Sequence, residues 1–168
     1  MPEIDIGRAW KGLEAVKAAG LTRSIGVSGI YRHLLKALLF DGTEPPVMNQ
    51  LRIYPYRPYI DLQWMRKKGI EISCCYPSHS LQSWATDTFN NPLAPVLSSI
   101  AARHGTNPSA VLLSWVIGQN LVPIVTISDT VDEYLPAIAL RLTPEEQEEI
   151  MQVAYRRMLL PKESPRVA

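Results

Sequence analysis

The chain has 168 residues, 46% of them hydrophobic and 20% charged, with a net charge of +1. That length suits one domain with a sizeable core, and the balanced charge excludes partners held by charge alone, such as nucleic acid or an acidic membrane surface. The two cysteines, Cys74 and Cys75, are adjacent, which excludes a disulfide framework and offers no metal-ligand spacing; with no signal-peptide pattern and no bilayer-length apolar run, the expected compartment is cytoplasmic.

Ile6, Ala9, Trp10, Leu13 and Val16 recur at helical spacing, and Gly20 stands where a helix-ending glycine belongs. Residues 24–28, Ser-Ile-Gly-Val-Ser, read as a short buried strand, and Arg32 to Phe40 as a helix closed by Asp41-Gly42. A second strand follows from Val47 and is stopped by Pro55. Its two-residue period separates Val47, Asn49, Leu51 and Ile53 from Met48, Gln50, Arg52 and Tyr54. The first set suits a layer of helices. The second turns polar groups either to an interior with a ligand or to solvent.

Residues 59–68 read as a helix ended by Gly69, and 70–75 as a third strand. Residues 77–91 are rich in Ser, Thr and Asn and form one long loop, a length associated with function or disorder. Leu93, Val96, Leu97 and Ile100 mark another helix, closed by Gly105. Asn107-Pro108 is an N-cap followed by proline at the first helical position. Residues 121–126 make a fourth strand, and a helix interrupted by Pro136 covers 129–138. Thr143-Pro144-Glu145-Glu146 is a capping box opening a last helix to about Tyr155. Four short strands separated by helices predict an α/β fold of parallel βαβ units.

Several stretches resemble the aldo-keto reductases: residues 10–14 (Trp-Lys-Gly-Leu-Glu), 20–28 (Gly-Leu-Thr-Arg-Ser-Ile-Gly-Val-Ser), Asn49-Gln50 with Pro55-Tyr56, 105–115, 122–126 and 142–146. They come in the family's order and spacing from about Asp5 to Ile150. That family folds as an eight-stranded β/α barrel. The resemblance covers only its second half, which implies half of a TIM-type barrel over 1–155 and a tail over 156–168. The family moves a hydride from NADPH to a carbonyl with a Tyr, Asp, Lys and His carried on the first four units, none of which is matched.

The resemblance also assigns cofactor positions. Ser28 and Gln50 match residues that hold the nicotinamide amide, but the Asn beside the Ser is Gly29. The Tyr that stacks under the nicotinamide falls on Cys75. Ser128 fits the phosphate-binding run with Ile127 in place of its Lys, and the Arg for the 2′-phosphate falls on Glu133, whose carboxylate would repel that group. This pattern implies a lost dinucleotide site and no cofactor.

In a β/α barrel the chemistry sits at the C-terminal strand ends. Arg52 there can bind a carboxylate, enolate or phenolate, or it forms a structural ion pair. Tyr54 and Tyr76 can act as general acids or fill core, and His79 suits acid–base work or stands solvated. Cys75 is a nucleophile or an inert thiol. Trp84, in the long loop, lines a substrate pocket or a subunit contact. His33 and His104, on helices, read as structural.

The reading that follows is a cofactor-independent isomerase, cyclase or lyase, with Arg52, Tyr54, Tyr76 and His79 catalytic and Ser28, Gln50, Cys75 and Trp84 against the substrate. On that reading oxidoreductase activity is not expected. The alternatives are a carbonyl reductase completed by another chain and a non-catalytic binding protein. Exposed half-barrel edges at the first and last strands predict a homodimer burying on the order of 2,000 Å².

Overall fold

The computed structural model describes residues 5–42, 44–53, 55, 61–75, 91–125 and 131–159. Seven helices among them are α1 (Ile6–Ala18), α2 (Arg32–Asp41), α3 (Leu62–Lys67), α4 (Ala94–His104), α5 (Pro108–Gly118), α6 (Pro136–Ala139) and α7 (Pro144–Leu159). Four strands lie between them: β1 (Val27–Ser28), β2 (Met48–Leu51), β3 (Glu71–Cys75) and β4 (Val122–Ile124). The last helix runs four residues past its expected end at Tyr155. The helix expected over 129–138 is shorter in the described residues: it begins at Pro136, because proline accepts the first helical position but not an interior one.

The chain divides into two compact units, Met1–Arg52 with Tyr59–Cys75, and Ile53–Pro58 with Tyr76–Ala168. In the first unit β1, β2 and β3 pair in parallel, with Val27 opposite Asn49, Ser28 opposite Gln50, and Gln50 opposite Ser73. Gly26 lets β1 close on β2, because a Cβ there would stand 2.9 Å from the Met48 carbonyl oxygen. Leu35, Leu38, Met65, Ile70 and Ile72 are fully buried, each worth about 2 kcal/mol. Helix α1 is fastened to the segment before β2: the Trp10 indole donates to the Glu44 carbonyl at 3.1 Å, the Glu44 N–H donates to Glu14 at 2.9 Å, and Lys17 pairs with the Glu44 carboxylate.

In the second unit α5 is buried along most of its length, Ser109 to Val116, and packs on α4, α6 and β4. Asn107 caps it as its sequence predicts, accepting from the Ala110 N–H at 2.8 Å. No helix among the described residues is long and apolar enough to cross a membrane.

Candidate functional site

The strand period sorts the β2 side chains as its sequence predicts. Asn49, Leu51 and Ile53 are buried, Gln50 is half-buried and Arg52 is exposed. Val47 is the exception in its set at 43% exposed, since it precedes the strand. On the other face the parallel register brings Ser28, Gln50 and Ser73 into one row across three strands. The Ser28 hydroxyl lies 3.4 Å from the Gln50 amide oxygen and 3.5 Å from the Gln50 backbone carbonyl. Both distances are at the long limit for a hydroxyl donor, so the pair is close without being locked.

The turn after β1 is held by two hydrogen bonds, one in the plane of the sheet and one from the Asn49 side chain. Gly29, with φ of +70°, donates its N–H to the Gln50 carbonyl at 2.8 Å. One residue on, the Ile30 carbonyl accepts from the Asn49 side-chain amide at 2.7 Å. Asn49 is thus the polar member of an otherwise apolar set because it reaches through the helix layer to fix the Ser28 turn. Farther along the rim Arg32 pairs with Asp61 at 3.1 Å and covers the Trp64 ring at 5.1 Å, linking the start of α2 to that of α3.

Arg52 has no carboxylate partner among the described residues, so the ion-pair alternative finds no support there. Cys75, half-exposed, ends β3 on the face of Gln50 and Ser73. Tyr54, Tyr76, His79 and Trp84, and with them Ile127 and Ser128, lie outside the described residues. Glu133 is half-buried, its backbone carbonyl accepting from Asn107 at 3.0 Å. Sequence reasoning missed Ser73. Its signal was the alternation of β3, where Ser73 and Cys75 share one parity and Ile72 and Cys74 the other.

Parallel strands alternating with helices match half of a β/α barrel, a fold that places functional groups at the C-terminal strand ends. The family model "Aldo/keto reductase family" matches residues 1–154, and the chain belongs to that family. It is 31% identical over 163 residues to deoxymugineic acid synthase 1-B of Triticum aestivum, covering 94% of this chain and 51% of that one. With dihydrodiol dehydrogenase 3 of Bos taurus it shares 31% over 169 residues, covering 94% and 52%. The solved aldose reductase of Schistosoma japonicum superposes with a TM-score of 0.75 at 25% identity, over 89% of this chain and 48% of that one. The chain spans about half the length of the curated relatives it matches.

These relatives overturn the expectation of a cofactor-independent isomerase, cyclase or lyase, and with it the expectation against oxidoreductase activity. A dehydrogenase and an aldose reductase are oxidoreductases by name. The physical reason lies at β1 and β2. That expectation rested on the four changed cofactor positions, Gly29, Cys75, Ile127 and Glu133, and on the unmatched Tyr, Asp, Lys and His, whereas Ser28 and Gln50, which the resemblance keeps, stand 3.4 Å apart.

Proposed function

We propose that this chain is the second half of an NADPH-dependent carbonyl reductase and supplies the carboxamide end of its cofactor site. The first four β/α units come from another chain or from elsewhere on the same one. The observation that carries this reading is the Ser28–Gln50 pair at 3.4 Å on neighbouring strand ends. A primary carboxamide has one acceptor oxygen and two N–H donors. A hydroxyl beside an amide offers both complements. Gly29 and Cys75 contribute no amide and no ring, and Ile127 and Glu133 stand where the resemblance puts the phosphate-binding Lys and the 2′-phosphate Arg, so the fit is to the carboxamide end alone, with half of its usual partners.

When bound, NADPH would supply the hydride for a carbonyl carbon, and the proton for its oxygen would come from an acid on the first four units. Ser28 and Gln50 orient its amide, and Arg52, exposed on the rim, meets a polar or anionic end of the substrate. Cys74 and Cys75, both thiols rather than halves of a disulfide, suit the reducing cytoplasm. A second copy of the chain covering the β1 edge is the homodimeric form of this reading, and light scattering coupled to size exclusion reads it directly.

The test is an NADPH titration of the chain alone and mixed with the first half of a full-length relative. Binding should tighten in the mixture, and oxidation of NADPH by an aldehyde should appear there on the order of 1 per second. No binding in either sample refutes the proposal. A gain is also expected from Gly29→Asn. A Cβ at Gly29 meets nothing within 4 Å, and asparagine is the side-chain-bearing residue that best tolerates a positive φ. One added hydrogen bond should raise NADPH affinity about fivefold to tenfold, read by the same titration.

A further inference from the structure

Ser73 is fully buried, and its hydroxyl has no hydrogen-bond partner among the described residues. It stands opposite Gln50 in the β2–β3 register, as Ser28 does in the β1–β2 register. Neighbouring strands are about 4.8 Å apart, so the long Gln50 side chain has one serine on each flank. Exposure falls along the row: Ser28 is exposed, Gln50 half-buried and Ser73 buried. A buried hydroxyl without a partner costs stability that alanine in the same place would not. The Gln50 side-chain NH2 group also has no partner among the described residues, since the contact with Ser28 is made to the amide oxygen.

We infer that Ser73 is a positioning residue that sets which end of the Gln50 amide faces the ligand, and so makes the pocket select a carboxamide over a carboxylate. The inference rests on the proposed carboxamide site. When a ligand amide enters between Ser28 and Gln50, it replaces their long contact. The Gln50 NH2 then donates to the Ser73 hydroxyl, which gives that buried oxygen its partner. The Gln50 oxygen is left facing the ligand as an acceptor. It takes an N–H of a carboxamide and repels a carboxylate, which has acceptors only. Without the Ser73 hydroxyl nothing fixes this choice, and a turned-over Gln50 would offer its NH2 to a carboxylate equally well.

The experiment compares binding of NADP⁺ and of nicotinic acid adenine dinucleotide phosphate, which differ only in that group, to wild type, Ser73→Ala and Ser73→Thr. Wild type should prefer NADP⁺. Ser73→Ala should lose about fivefold or more of that preference, and Ser73→Thr, which keeps the hydroxyl, should retain it. A side-chain amide resonance of Gln50 with a nuclear Overhauser contact to the Ser73 β-protons should appear in wild type on adding NADP⁺. That measurement decides the matter even if the alanine variant does not fold. An unchanged preference in a folded Ser73→Ala protein, or nucleotide binding without the Gln50–Ser73 contact, overturns the inference and leaves the carboxamide site standing. Failure of wild type to bind either nucleotide, both alone and mixed with the first half of a full-length relative, overturns both.

Discussion

Replacing Glu146 with alanine is expected to lower the melting temperature by about 10 °C, a loss of about 3 kcal/mol. Glu146 lies at the start of α7 and is only 6% exposed. Its carboxylate accepts from the Thr143 N–H at 3.0 Å, while its own N–H donates to the Thr143 hydroxyl at 3.2 Å, so the capping box is closed in both directions. The same carboxylate accepts from His104 Nε2 at 2.9 Å on both oxygens and from Arg103 Nε at 3.3 Å. One buried group therefore caps α7 and fastens it to the end of α4. Alanine removes every bond made by the carboxylate and keeps only the backbone N–H to the Thr143 hydroxyl. Glutamine, which also serves in capping boxes, should cost less than half as much.

The pH dependence follows from the same contacts. Burial by itself raises the Glu146 carboxyl, but the hydrogen bonds from His104, the Thr143 N–H and Arg103, with the charge of His104, outweigh it and hold the carboxyl below its ordinary value. The unfolded chain thus takes up this proton first as the pH falls. The contribution is complete above the ordinary carboxylate value near 4.5 and is lost as the pH drops through the lower folded value. Glu145 is held low as well, by its own N–H and the Thr143 hydroxyl. Glu146→Gln should accordingly flatten the acid limb of the stability curve without abolishing it. Thermal melts of the two proteins from pH 7 to pH 3 read this, and parallel curves would refute it.

Asn49→Asp is expected to be more damaging at pH 7 than its one-atom change suggests, with a loss of about 3 kcal/mol or more. Asn49 is 0% exposed, and its NH2 donates to the Ile30 carbonyl at 2.7 Å. The amide orientation is fixed by that contact, since the opposite one would set two oxygens together. An aspartate either buries a charge against a carbonyl oxygen or stays protonated at a cost that grows with pH. Its folded pKa is raised by burial, so the deficit should shrink as the pH is lowered toward the ordinary carboxylate range. The turn bearing Ser28 and Gly29 loses its anchor from the Asn49 side chain, so on the proposed function NADPH affinity should fall together with stability. Asn49→Leu, which buries no charge, should cost about 1 kcal/mol. A melting curve for Asn49→Asp that matches wild type at pH 7 would refute this account.

Local rules govern the features that can be read along the chain. Asn107-Pro108 and Thr143 with Glu146 mark helix starts because a cap bonds backbone groups within three residues. The β2 faces were legible because alternation is a property of the extended chain, and Ser28 and Gln50 because they stand in family order. Tertiary structure decided what depends on residues far apart in the chain. Glu146 reads as a capping residue, yet His104 and Arg103, more than forty positions earlier, make it a clasp between helices. Asn49 breaks the apolar pattern of its set, and only the fold shows that it ties down Ile30. Ser73 looks like an ordinary residue of a buried strand. Its register opposite Gln50, and a burial that leaves its hydroxyl without a partner among the described residues, come from strand pairing, which no local pattern encodes. The first reading of the chemistry erred for the same reason. It weighed the residues at Gly29, Cys75, Ile127 and Glu133 one by one, whereas a binding site depends on which groups the sheet brings side by side, and parallel pairing brings Ser28 to Gln50 across 22 residues of chain.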